Sequence, residues 1–290
     1  MPSFDYVAPT SLAEAVKLMG SGGTVRAFAG GTDLIDQLKT NRRNADLVVD
    51  LKRIPELQRL ELAADGLHIG AARSCSDVHH DGTVNRLFRG LADATGLVGS
   101  VQIQNRAAVG GNVCNAAPSG DTTPNLLAHE AVAVIAGAAG TRKVELTDFF
   151  VGPGQTVLQR GEILQELILP KPPENSASAY LRFIPRNEMD IAVAGVSSFV
   201  HIDPSTRTVR KARIALASVA PTPVRARSAE AKLEGNVISE ALIASAGDAA
   251  VESATPITDV RGSAEYRREL VRVLTRRTLN ICLERIGISL

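Results

Sequence analysis

Residues Ala107–Ala131 read AAVGGNVCNAAPSGDTTPNLLAHEA, and residues Ala27–Leu34 read AFAGGTDL. Each stretch sets a Gly-Gly pair after an apolar run and before a segment able to start a helix. With no Cβ in the way, the backbone N–H groups of such a turn can approach an anion closely. Two turns of this kind in one chain suggest a ligand with two phosphates. Gly-Gly alone is a weak sign, since about one residue in fourteen is Gly in any protein. The chain has neither G-x-G-x-x-G nor G-x-x-x-x-G-K-[ST], which leaves a nicotinamide-type dinucleotide fold and a P-loop without support.

The neighbours of the two pairs carry more weight. Thr32 and Asp33 follow the first. Asn112, Asn115, Ser119, Asp121 and Thr122 crowd into eleven residues behind the second, with no Lys or Arg among them. A carboxylate beside a diphosphate is repulsive unless it faces a sugar, so Asp121 is read as accepting from a ribose hydroxyl. The alternative makes Asp121 a helix cap ahead of Pro124.

The chain's 290 residues exceed the usual size of one domain. Apolar residues make up 44%, charged residues 22%, and the formal net charge is +1, an ordinary globular balance. The basic residues are scattered, and aromatic residues make up 3% with no Trp, so nucleic acid is not an expected partner. No transmembrane run is present, and MPSFDYVAPT lacks the blocks of a signal peptide, so a cytoplasmic location is expected. The three cysteines, Cys75, Cys114 and Cys282, are dispersed and cannot by themselves hold a four-cysteine iron–sulfur cluster.

Along the chain, Ser11-Leu-Ala-Glu14 has the form of a capping box ahead of a first helix that closes near Gly20–Gly23. Val25–Ala29 reads as a strand into the first glycine turn, and Asp46–Leu51 as a buried strand. Ile54-Pro55 divides two lobes. A hairpin is expected over Leu60–Gly70, helices over Ser76–Val98, and a short helix with Thr123 as cap and Pro124 in its first position. Further strands are expected at Ala131–Ala136, Arg142–Leu146 and Ile163–Leu169. Pro170–Ser178, PKPPENSAS, reads as a linker. Beyond it, Ala192–Ile202 and Val209–Ser218 read as strands, followed by helices at Ser228–Leu233, Ser239–Ser253 and Ser263–Ile286. Strands first and helices after is an α+β pattern. His79-His80 is read as a surface loop, His129 as packed or solvent-facing, Cys114 as a small buried thiol, and Arg267–Arg277 as the wet face of an amphipathic helix.

AFAGGTDL, AAVGGNVCNAAPSGDTTP, PRNEMDIAVAG (Pro185–Gly195), ALASVAPTPVRARSAEAKLEGN (Ala215–Asn236) and DVRGSAEYRR (Asp259–Arg268) together resemble the FAD-binding medium subunit of the molybdenum hydroxylases. That family includes the flavoprotein subunit of aerobic carbon monoxide dehydrogenase and the FAD domain of xanthine dehydrogenase. The motifs occur in family order from about Phe4 to Ile286.

The resemblance implies an α+β chain. A two-lobed FAD-binding domain of the vanillyl-alcohol-oxidase/PCMH type would span 1–172 (lobes about 1–57 and 58–172). A C-terminal domain with a small antiparallel sheet and helices would span 177–290. It assigns Ala27, Phe28, Ala29, Gly30, Gly31, Thr32, Asp33 and Leu34 to one side of the FAD diphosphate, and Ala108, Val109, Gly110, Gly111 and Asn112 to the other, with Asn115 a further candidate for the cofactor. Asp121 matches an acidic residue near the adenosine. Val98 and Leu164 match apolar cofactor contacts, and Arg182 a basic one, with Arg186 nearby. Asp190-Ile191 matches the segment at the isoalloxazine, where some relatives place Tyr.

It also implies partners: a large molybdenum-cofactor subunit carrying molybdopterin and a small 2Fe-2S subunit, arranged as a dimer of heterotrimers. Electrons would pass from the 2Fe-2S subunit to FAD and on to an external acceptor. The cluster loop of benzoyl-CoA-reducing relatives is missing. The competing reading is a stand-alone FAD-dependent reductase of the same flavin-binding fold, resembling the enolpyruvylglucosamine reductases.

Overall fold

Ser11 caps the first helix as its position in the sequence predicts, its hydroxyl accepting the Glu14 N–H at 3.3 Å ahead of α1 (Leu12–Met19). In this computed structural model, which describes residues 2–290, α1 connects β1 (Asp5–Val7) to β2 (Val25–Phe28). Helix α2 (Leu34–Lys39) then connects β2 to β3 (Leu47–Asp50). The strands are parallel in the order β1-β3-β2, as connections through a helix demand. Strand β1, at three residues, is too short to show a period in the sequence.

The second lobe is one antiparallel sheet in the order β4-β5-β10-β6-β7. Strands β4 (Leu60–Ala63) and β5 (Gly66–Gly70) form the expected hairpin. Strands β6 (Val132–Gly137) and β7 (Gly140–Glu145) follow, then the two short strands β8 (Phe150–Gly152) and β9 (Gln155–Thr156), and β10 (Ile163–Leu169) in the middle. Six short helices join β5 to β6: α3 (Cys75–His80), α4 (Gly82–Leu87), α5 (Arg89–Thr95), α6 (Val101–Gln104), α7 (Val109–Asn115) and α8 (Thr122–Ala128). Ala15 and Val49 of the first lobe belong to the same core as Ile69, Val109 and Leu167 of the second.

The last sheet is an antiparallel meander of β11 (Ser176–Phe183), β12 (Ala194–Ile202), β13 (Val209–Ala217) and β14 (Val224–Arg225). Helices α9 (Arg227–Leu233), α10 (Glu240–Ala250) and α11 (Ala264–Ile286) follow it and close a second core around Val196, Ile214, Leu216 and Leu279.

Four expectations need correcting. Ser176–Ser178 belongs to β11 rather than to a linker: the Ser178 hydroxyl accepts the Gly90 N–H at 3.0 Å and lies 2.9 Å from His129 Nε2. Small residues serve close packing there, since a Cβ on Gly90 would stand 2.8 Å from Ser178 Oγ. Helix α8 starts one residue before Thr123, with Asp121 in the cap position and Pro124 third. His79 and His80 close helix α3 rather than a loop, and His79 Nδ1 lies 2.8 Å from the Ala92 carbonyl oxygen. Arg267 is buried, so the basic run of α11 is not uniformly a wet face. Among the described residues no helix is long and apolar enough to cross a membrane.

Candidate cofactor site

Both glycine turns line one cleft of about 430 Å³ between the first two lobes, within the roughly 300–1,000 Å³ usual for ligand pockets. The first turn follows the C-terminal end of β2, the end of a parallel sheet at which ligands bind. Residues Ala27–Leu34 form one wall, and Ala108, Gly110, Gly111, Asn112 and Asn115 line the other. Val98 and Leu164 add the apolar surface the resemblance implied, while Val109 turns into the core. Gln37 of α2 donates to the Asn115 side chain at 3.3 Å, linking the walls. The Asn112 side chain accepts the Thr122 hydroxyl at 2.7 Å and so sets where α8 begins.

Among the described residues, the N–H groups of Gly30, Gly31, Thr32 and Asp33 donate to no protein acceptor. Gly110 and Gly111 occupy the second and third positions of α7, where a helix offers its own N–H groups no acceptor. Two sets of free donors on one cleft fit a diphosphate.

The glycines themselves have divided roles. A Cβ on Gly30 would stand 2.0 Å from the Arg106 carbonyl oxygen, and one on Gly110 2.5 Å from Ala71 Cα. Gly31 has φ +74°, and its Cβ would meet the Phe28 ring at 2.1 Å. These three let protein segments approach one another, so the expectation that all four clear space for phosphate is too broad. Gly111 alone opens outward, its Cβ meeting only Ala108 Cβ at 3.8 Å.

Positive charge comes from residues that the motifs do not contain. Arg26, Arg43 and Arg160 line the cleft. Arg26 donates to the Asn44 carbonyl at 3.1 Å and Arg160 to that of Ser21, and no carboxylate pairs with any of the three among the described residues. Burial, with Arg43 beside it, lowers the Arg26 pKa. Burial also raises that of Asp33, helped by Asp36. The available sign was Arg26 itself, a basic residue in a strand leading into a glycine turn. Cys114 lines the cleft as well, but burial pushes its thiol up to about 12, which keeps it protonated and unreactive at neutral pH.

Asp121, Arg182, Asp190 and Ile191 do not line this cleft. Asp121 is buried, accepting the Tyr180 hydroxyl at 2.8 Å and Arg182 Nη1 at 2.5 Å. Although it sits at the α8 cap position, its side chain caps nothing. Burial outweighs both partners and pushes its pKa up to about 6. Asp190 lies 3.4 Å from Arg186, and Ile191 is 48% exposed.

A parallel β-α-β lobe set against an antiparallel lobe, with free amides on both walls of the cleft between them, defines a dinucleotide-binding protein. Residues 2–172 match the family model of the FAD binding domain in molybdopterin dehydrogenase, and residues 179–281 that of the CO dehydrogenase flavoprotein C-terminal domain. The chain belongs to the family of FAD-binding subunits of the molybdenum hydroxylases, a family of oxidoreductase subunits.

It is 32% identical to the carbon monoxide dehydrogenase medium chain of Hydrogenophaga pseudoflava over 280 residues, 96% of each chain. It is 29% identical to the xanthine dehydrogenase FAD-binding subunit of Escherichia coli O157:H7 over 284 residues, 97% of each. Among solved structures, carbon monoxide dehydrogenase from H. pseudoflava superposes with a TM-score of 0.93 at 33% identity, covering 98% of each chain. Quinoline 2-oxidoreductase from Pseudomonas putida 86 gives 0.91 at 28% identity, covering 99% of each.

Proposed function

We propose that this chain passes electrons from a partner 2Fe-2S subunit, through its FAD, to an external acceptor, within a cytoplasmic complex whose large subunit carries the molybdopterin cofactor. The observation that carries the reading is the pair of free amide sets facing one cleft in a chain of this family. The flavin supplies the redox chemistry, taking single electrons and releasing a pair. The chain's own part is to hold the diphosphate between Gly30–Asp33 and Gly110–Asn112, with Val98 and Leu164 excluding water. The assignments of Asp121 and Arg182 to the cofactor, of Asp190 and Ile191 to its ring, and of a dimer of heterotrimers belong to the same reading. So does a division into 1–172, with its lobes, and 177–290.

The test is to express the chain alone and with its partner subunits. Bound FAD should give a flavin spectrum in both, and substrate should bleach it only in the complex. A chain that never takes up FAD, or one that alone turns over a small substrate, overturns the reading. The second outcome would favour the stand-alone reductase.

A further inference from the structure

Behind the first glycine turn, on the side away from the cleft, lies a polar cluster that no motif contains. Lys52 Nζ donates to the Ala29 carbonyl at 2.9 Å and to both carboxylate oxygens of Asp50 at 2.8 Å. It also stands 4.1 Å over the centre of the Phe28 ring. Asp50 is buried and accepts a further hydrogen bond from the Tyr6 hydroxyl. Phe28 is the ring that Gly31 must clear. Lys52 therefore grips both the residue that packs against the turn and the carbonyl that opens it.

We propose that Lys52 is a positioning residue for the dinucleotide, fixing the first amide row from behind; the proposal rests on the FAD reading of the cleft. The argument is one of peptide geometry. In a trans peptide the carbonyl and the following N–H point in opposite directions. With the Ala29 oxygen held toward Lys52, which does not line the cleft, the Gly30 N–H is held facing away from Lys52. Released from Lys52, this peptide loses the hydrogen bond that fixes its plane, and the φ of Gly30 on its far side is the least restricted of any residue type. Asp50 keeps the ammonium in place from a rigid position, opposite Phe28 in the register of the parallel sheet. The Lys52 side chain is 27% exposed, and when it is replaced the buried Asp50 carboxylate keeps the Tyr6 hydroxyl and the backbone N–H of residue 52 as donors.

The experiment compares wild type, Lys52→Met and Lys52→Arg as full chains, reading FAD affinity by titration and the melting temperature of the apo form. K52M is expected to bind FAD and ADP about tenfold more weakly, the effect of losing a charged donor, with adenosine binding unchanged. K52R, which keeps a cationic donor, is expected to recover most of the affinity. A merely structural role would weaken adenosine as much as ADP; the apo melting temperature is expected to fall in either case, because Asp50 loses its cation, and is read to confirm that the variant folds. K52M binding FAD within about twofold of wild type overturns the proposal, as does equal loss for adenosine. Should K52M fail to fold, Lys52→Gln is read in the same way. A wild-type chain that binds no FAD would instead count against the family reading of the cleft.

Discussion

Arg182 Nη1 donates to Asp121 Oδ2 at 2.5 Å, and this buried pair joins strand β11 to the start of helix α8. Burial nevertheless pushes the Asp121 carboxyl up to about 6, above the roughly 3.9 of an unfolded aspartate. The folded chain thus favours the protonated form. Its stabilisation is full below the unfolded value and is lost as pH rises through 6. Between pH 4 and pH 7.5 this carboxyl should therefore make the wild type less stable as pH rises. Asp121→Asn, neutral throughout, should flatten the profile in denaturant unfolding at a series of pH values; an unchanged slope would refute the assignment.

Gly111 and Gly110 are adjacent and should respond in opposite ways. Alanine at 110 meets the Ala71 backbone at 2.5 Å, so Gly110→Ala must lower the melting temperature even without cofactor. Alanine at 111 meets no obstacle and removes a helix glycine, so Gly111→Ala should stabilise the apo chain by up to about 1 kcal/mol. It should also weaken FAD, because the added methyl enters the cleft. Calorimetry on the apo chains and FAD titration separate the two effects.

Much of this arrangement was legible because local rules and tertiary packing agreed. The Ser11 cap, the β4-β5 hairpin and the two glycine turns each announce themselves within a few residues. What stayed hidden depends on distant segments. Ser176–Ser178 looks like linker because nothing in it shows that Gly90 and His129 pack against it. Gly30 and Gly110 look like phosphate glycines, yet Arg106 and Ala71 account for them. Asp121 reads as a cap or a ribose ligand, and nothing near it in sequence shows that Tyr180 and Arg182 bond to it. A single Arg far from a motif, such as Arg43 or Arg160, carries no local mark of the cleft it lines.

Arg26, Arg43 and Arg160 give the cleft positive charge and, among the described residues, have no carboxylate partners, whereas the amide walls carry only partial charge. FAD binding should therefore weaken with ionic strength, because the cleft is open to solvent and charges there are screened over about 8 Å at physiological salt, Arg160 most and the half-buried Arg26 and Arg43 less. Replacing all three with Gln should weaken FAD at low salt and remove most of the salt dependence, leaving affinities at high salt close to wild type. Titrations across a salt series check this. A variant that keeps the wild-type slope would show that the guanidinium groups act elsewhere.

Arg267 and Arg268 are neighbours in α11 with unequal duties. Arg268 is exposed. Arg267 is buried and donates to the Val193 carbonyl at 2.7 Å, the Ser218 carbonyl at 3.0 Å and Asp259 at 2.7 Å. It ties the chain before β12, the end of β13 and the loop ahead of α11 to one guanidinium. Arg267→Met strands two carbonyls and a carboxylate, and should cost about 3 kcal/mol. Arg267→Lys should recover part of that, since one ammonium cannot span three acceptors in the same geometry. Arg268→Met, changing the exposed neighbour, should stay within about 0.5 kcal/mol of wild type. Urea unfolding of the three variants decides the matter: equal effects at 267 and 268 would return the whole basic run to a solvated face.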